Sequence, residues 1–235
     1  MNIKLSPSLI CSDLCNLERS VDEIAQLNVD MLHIDIIDGH FSPSMPMGLD
    51  VVCALRKKTS LPFDYHIMAK ENDFFVDEIM DIGAAQICFH YESEIHIDRL
   101  LNKIKKAGIR AGVALIPSTP VSVLEYVIPQ CDFVMLTLIN PGYAGDGAEK
   151  QVPYALKKVN DCSRFIAGKG CKVDIEIDGR ISIKSIPDLI GAGANILVLG
   201  TQSLFSRNAN LSANMAEIRL AVSRGLERKN SNEIA

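Results

Sequence analysis

Apolar residues fall into two alternating rhythms along this chain. Runs of about four to eight mostly apolar residues read as strands buried on both faces. Between them, apolar positions recur every three or four residues, the rhythm of an amphipathic helix. The strand-like runs are Lys4–Leu9, Val29–Ile37, Phe63–Met68, Gln86–His90, Arg110–Leu115, Phe133–Leu138, Lys172–Ile177 and Asn195–Leu199. The helical stretches start with Asp13–Asn28, whose apolar stripe is Leu14, Leu17, Val21, Ile24 and Leu27. They continue with Leu49–Lys58, Asp73–Ile82 and Ile95–Ala107. A short helix is expected from Pro117 and Pro120 to Ile128, then Pro153–Ala167, Ile183–Ile190 and Ala209–Leu226. The tail from Arg228 to Ala235 is polar and expected to fray.

Strand and helix thus alternate eight times with short connectors, and no Pro/Gly/Ser-rich linker divides them. One closed (β/α)₈ TIM barrel over residues 1–226, with a polar tail at 227–235, is the expected architecture; roughly 250 residues is typical of that fold. An open, doubly wound sheet is the alternative. Gly191-Ala192-Gly193-Ala194 precedes a strand instead of following one, so it reads as a helix stop and not a dinucleotide loop.

Composition narrows the partners. The 235 residues are 48% hydrophobic and carry a net charge of −5, with no basic run, which argues against nucleic acid and anionic membrane. No apolar run approaches the roughly 20 residues of a membrane span, and the N-terminus has no signal-peptide pattern. The seven cysteines, 11, 15, 53, 88, 131, 162 and 171, are scattered and without paired spacing, so they read as reduced, buried thiols of a cytoplasmic protein.

The chemistry sits where polar residues interrupt the strands. His33 and Asp35 are two apart, so on a strand they share a face, and Asp38-Gly39 then turns the chain. Buried together, such groups are costly unless paired or bound to metal. In a barrel, functional groups gather at the C-terminal strand ends. Those ends offer Ser8, His33, Asp35, Asp64, His66, Met68, His90 and Asp178. His33, Asp35, His66 and Asp178 form a two-histidine, two-carboxylate set suited to one divalent Zn²⁺, Mn²⁺, Fe²⁺ or Co²⁺. Taken singly, His66 also reads as a core histidine and Asp178 as a turn residue. His90 has no evident partner and is expected to be structural; His40 and His96 read as surface residues.

Gly142-Tyr143-Ala144-Gly145, Asp178-Gly179 and Gly200-Thr201 place small residues and free backbone N–H groups on the late strands. Individually these are turn residues. Together they suit a phosphate held largely by backbone dipoles, with Arg180 the one cation nearby. Two carboxylates beside one metal suggest removal of an acidified C–H proton from one face and its return to the other, with no organic cofactor. A metal-activated water, and so hydrolysis, is compatible with the same ligands.

Ser6-Pro7-Ser8, His33 to Phe41, Asp64 to Met68, Asn140 to Gly145, Glu176 to Gly179 and Gly200-Thr201, in this order, resemble the motif set of the ribulose-phosphate 3-epimerase family over about residues 3–205. The resemblance implies a barrel that inverts C3 of a phosphorylated ketose. His33, Asp35, His66 and Asp178 would hold the metal, and Asp35 and Asp178 would move the proton. Ser8 and His66 would touch the substrate, and Met68 would cap the reacting centre. Gly142, Tyr143, Ala144 and Gly145, Gly179 with Arg180, and Gly200, Thr201 and Gln202 would surround the phosphate. A homo-oligomer is the expected assembly.

The chain departs from the pentulose-phosphate pattern at Ile37, Thr137, Asp146 and Gln202. The Gly200-Thr201 turn and Ala144 are more similar to the D-allulose-6-phosphate 3-epimerase branch, so a hexulose 6-phosphate is slightly favoured, with D-ribulose 5-phosphate as the alternative. An extra acid, Asp146, beside a phosphate is unfavourable. A Schiff-base aldolase would need a strand-end lysine that is missing here. A non-catalytic sugar-phosphate-binding paralogue would not need the four ligands, all of which are present.

Overall fold

All eight expected strands form in the computed structural model, which describes residues 3–206 and 210–234. They are β1 (Lys4–Pro7), β2 (Leu32–Ile37), β3 (Phe63–Met68), β4 (Gln86–His90), β5 (Arg110–Leu115), β6 (Phe133–Thr137), β7 (Asp174–Asp178) and β8 (Ile196–Leu199). Every neighbouring pair is parallel, in the order β1-β8-β7-β6-β5-β4-β3-β2. A parallel bridge between Ser8 and His33 links the two ends. Asp30 N–H also donates to the Leu5 carbonyl at 3.1 Å, so the sheet closes on itself. This is a TIM barrel.

Among the described residues, seven α-helices surround it: α1 (Leu17–Ala25), α2 (Leu49–Arg56), α3 (Asn72–Ile82), α4 (Ile97–Lys106), α5 (Ala155–Gly168), α6 (Ile186–Gly191) and α7 (Leu211–Ile234). The helix expected after Pro120 is replaced by two 3₁₀ turns, Val121–Leu124 and Ile128–Gln130. Pro129 disfavours helical backbone at Ile128, and β-branched residues crowd this stretch. Ser182 and Ser185 exchange hydrogen bonds across the turn before α6, each hydroxyl accepting from the other's N–H at 3.1 Å, and hold off the helix until Ile186. The helix α7 does not stop at Leu226. No Pro or Gly follows Gly225, and the polar residues beyond are compatible with helix, so it runs through Ile234. Its expected start at Ala209 lies outside the described residues. No described helix is long and apolar enough to cross a membrane.

The core has two parts, as barrel geometry requires. The larger lies between strands and helices, where α4 contributes Ile97, Leu100, Leu101 and Ile104 from one stripe. The smaller fills the barrel with Cys88, Ala114, Phe133, Met135 and Val198. Phe133 lies so close to Gly112 that a β-carbon there would meet its ring at 2.6 Å. This plug shuts the middle of the barrel and leaves the polar chemistry above and beside it. All seven cysteines are free, but only Cys88, Cys131 and Cys162 are buried; Cys15 is exposed.

Candidate active site

Pleat alternation along β2, β3, β4 and β7 sends polar side chains into the barrel. His33, Asp35, His66 and Asp178 each bring one ligand atom into a group within 4.8 Å of one another. His33, Asp35 and His66 are buried, and Asp178 is half-buried at the mouth. His33 Nε2 and His66 Nδ1 each lie 3.4 Å from Asp35 Oδ1. Both nitrogens are buried without a hydrogen-bond partner. Two orphaned imidazole nitrogens converging on carboxylates fit a divalent cation that completes their coordination.

The outer contacts orient these ligands. His33 Nδ1 meets Asp64 Oδ2 at 2.8 Å, and Ser6 donates to the same oxygen at 2.8 Å. Gln86 Nε2 donates to Asp64 Oδ1 and to Glu176 Oε2, each at 2.9 Å. Arg110 donates to Gln86 Oε1 at 2.7 Å and fixes that amide's orientation. Ser8 donates to Asp35 Oδ2 at 2.9 Å. Burial raises Glu176 well above the ordinary carboxyl range, and the negative charge of Asp64 adds to the rise. Ser6 and Glu176 lie two residues, and Gln86 four residues, from a named site position on the same strand, so period-two alternation could have found them.

His90, expected to stand alone, does not. Its Nε2 lies 2.8 Å from His66 Nε2, its Nδ1 lies 3.2 Å from Glu92 Oε2, and Phe41 packs on its ring with centroids 4.7 Å apart. His40 and His96 are on the surface as expected.

The two carboxylates of the ligand group have different electrostatics. Burial raises both. At Asp35 the charge of the neighbouring His33, with a smaller contribution from His66, outweighs burial and holds the carboxyl well below its usual range. At Asp178 the charge of Asp35 adds to burial, and the pKa is raised. Neighbouring acids pushed in opposite directions are an arrangement that supports separate proton-donating and proton-accepting roles.

A cavity of about 320 Å³ opens above this group. Ser8, Asp35, His66, Met68, Gly142, Ala144, Gly145, Asp178, Gly179, Arg180, Gly200 and Thr201 line it; so does Cys11, which the sequence did not single out. Burial and the nearby acids push the Cys11 thiol up to about 11, so it is no thiolate. Tyr143 and Gln202 stand on the lining loops but outside the cavity wall, and both are exposed. Asp146 also lies outside it, and its Oδ1 accepts from Ala148 N–H at 2.8 Å, so the extra acid is occupied in its own turn. Gly142 has φ 84°, and a β-carbon there would meet Ser42 at 2.6 Å. Gly179 has φ 108°, and a β-carbon would lie 2.9 Å from the Ile139 nitrogen. Arg180 has φ 52°, uncommon for a side-chain-bearing residue. Its guanidinium donates to Glu149 O at 3.2 Å, to Thr201 Oγ1 at 3.3 Å and to Asp146 O, tying the β6 loop to the β8 turn.

Comparison with known proteins agrees with this architecture. Solved 3-hexulose-6-phosphate synthase from Salmonella typhimurium superposes with a TM-score of 0.68 at 16% identity, covering 96% of this chain and 100% of that one, a likeness of fold alone. The ribulose-phosphate 3-epimerase of Bacillus subtilis is 37% identical over 200 residues, 85% of this chain and 91% of that protein. The enzyme of the same name from Treponema pallidum is 34% identical over 197 residues, 84% and 89% respectively. Residues 4–205 match the ribulose-phosphate 3-epimerase family, and the chain belongs to it.

Proposed function

We propose that this chain inverts C3 of a phosphorylated ketose by a two-carboxylate mechanism. The observation that carries the reading is the position of Asp35 and Asp178 on β2 and β7, flanking one histidine pair within 4.8 Å and electrostatically pushed apart. His33, Asp35, His66 and Asp178 would hold a divalent cation, which polarises the ketone and its neighbouring hydroxyl and so acidifies the C3–H bond. Asp35 takes the proton on one face of C3, and Asp178 supplies one to the other. Reversal exchanges the roles. Ser8 fixes Asp35 Oδ2 and turns Oδ1 toward the histidines. Met68, Ile37 and Ile139 give the reacting carbon an apolar wall that limits water.

The phosphate binds between Gly142–Gly145, Gly179–Arg180 and Gly200–Thr201, against backbone N–H groups and the Arg180 guanidinium. The names of the relatives support the D-ribulose 5-phosphate/D-xylulose 5-phosphate pair. A second reading is the D-allulose 6-phosphate/D-fructose 6-phosphate pair. It is favoured by Thr137, a short residue on the cavity wall whose hydroxyl is occupied by Leu115 O at 3.1 Å, which leaves room for a further CHOH unit.

The test is proton exchange in D₂O with metal-supplemented protein and, in parallel, D-ribulose 5-phosphate and D-fructose 6-phosphate. Deuterium entering C3 with formation of the C3 epimer, read by NMR, is the expected result for one pair and identifies it. No exchange with either sugar, despite bound metal, refutes the reading.

A further inference from the structure

Resting on the metal-centre reading above, we infer that Glu92 and His90 are positioning residues that set the tautomer of His66, so that its Nδ1 is free to bind the cation. Three side chains form a line, the buried His66 and His90 and the half-buried Glu92. His66 Nε2 and His90 Nε2 lie 2.8 Å apart, and His90 Nδ1 lies 3.2 Å from Glu92 Oε2. Two facing ring nitrogens can share only one proton, so one donates and the other accepts. The carboxylate settles which. Glu92 only accepts, so His90 carries its proton on Nδ1. His90 Nε2 is then a bare acceptor, and His66 must present Nε2–H to it. The bare nitrogen of His66 is thereby Nδ1, the buried atom that has no partner and faces Asp35 Oδ1.

Glu92 is itself fixed in place. Its Oε1 accepts from Ile116 N–H at 3.0 Å and from the Thr119 hydroxyl, so Oε2 is the oxygen left for His90. The loop after β5 is thus coupled to the ligand group through two rings. Outer partners of metal-bound histidines act this way in general, and losing them typically weakens metal binding about 10–100-fold.

Glu92→Gln gives a sharp test. Ile116 N–H and Thr119 retain the new amide oxygen, so the amide NH₂ faces His90 Nδ1. His90 must then accept there and donate from Nε2. His66 accepts at Nε2 and carries its proton on Nδ1, where the cation belongs. Zn²⁺ affinity of the full-length protein, measured by competition with a chromophoric chelator, is expected to fall about 10–100-fold, while the unfolding temperature of the metal-free protein stays near wild type. Histidine ¹⁵N NMR of the Zn²⁺-loaded wild type is expected to show a protonated Nε2 on His66 and a protonated Nδ1 on His90. His90→Gln, whose amide oxygen can take the same proton, is expected to keep the affinity, and His90→Leu to lose it. Unchanged Zn²⁺ affinity in Glu92→Gln, or an unprotonated His66 Nε2 in the wild type, overturns the relay and leaves the metal centre standing. Failure of the wild type to bind Zn²⁺ overturns the metal centre and the relay with it.

Discussion

Asp64→Asn separates the role of buried charge at this site from the role of shape. Asp64 is fully buried and accepts from Ser6 Oγ, His33 Nδ1 and Gln86 Nε2 at 2.8, 2.8 and 2.9 Å. In the variant the amide oxygen can keep Ser6 and His33 on one side. The amide NH₂ then faces the Gln86 NH₂, donor against donor. Gln86 cannot turn round, because Arg110 holds its Oε1 at 2.7 Å and its NH₂ also serves Glu176 at 2.9 Å. Two buried donors are left without acceptors, at about 1–3 kcal/mol each, so the expected loss is about 2–6 kcal/mol. In a domain of this size each kcal/mol moves Tm by roughly 2–4 °C, so calorimetry of the metal-free protein should show a fall of roughly 4–24 °C. With its carboxylate partner gone, His33 is also less well oriented, and Zn²⁺ affinity should fall about 10–100-fold. A Tm and an affinity both equal to wild type would refute the claim that this network is satisfied only by an anion at position 64.

Asp178→Asn should keep the fold and lower inversion by at least about 10²–10⁴-fold, while Asp35 still exchanges the C3 proton of one epimer; retained turnover in the metal-loaded variant refutes the two-base mechanism. Gly179→Ala must place a β-carbon 2.9 Å from the Ile139 nitrogen at φ 108°. The backbone strain is about 1–3 kcal/mol and the overpacking about as much again, so Tm falls and KM rises; an unchanged Tm refutes the geometry at this turn. Lys158 is buried, donates to the Pro117 carbonyl at 2.9 Å, and burial brings its ammonium from the ordinary 10.5 down to about 8. Between these values the unfolded chain holds more protons than the folded one, so stability relative to Lys158→Met should rise with pH across that window. Denaturant unfolding at both ends of the window checks this, and a flat difference refutes it.

Much of this protein is legible in one dimension. Runs such as Phe63–Met68 and Gln86–His90 are mostly apolar because barrel strands are buried on both faces, and their bounds follow from that pattern. The polar residues that break the runs follow as well, because nothing except paired or metal-bound chemistry repays burying His33, Asp35 and His66. Local rules go astray where chain-level signals compete. Pro129 turned the expected helix after Pro120 into 3₁₀ turns, and the polar tail lacked any residue to stop α7.

What the sequence could not contain is contact across strands. Glu176 is 90 residues from Gln86, and His90 is 24 from His66, so their pairings depend on barrel register and closure. The same holds for Cys11 in the cavity wall, for Asp146 turned into its own loop, and for Arg180 bridging two loops. Residue type and strand alternation determined which side chains point inward. Only the closed sheet decided which of them meet, because hydrogen bonds and coordination are effective over about 3 Å, a distance set by the packing of eight strands and not by spacing along the chain.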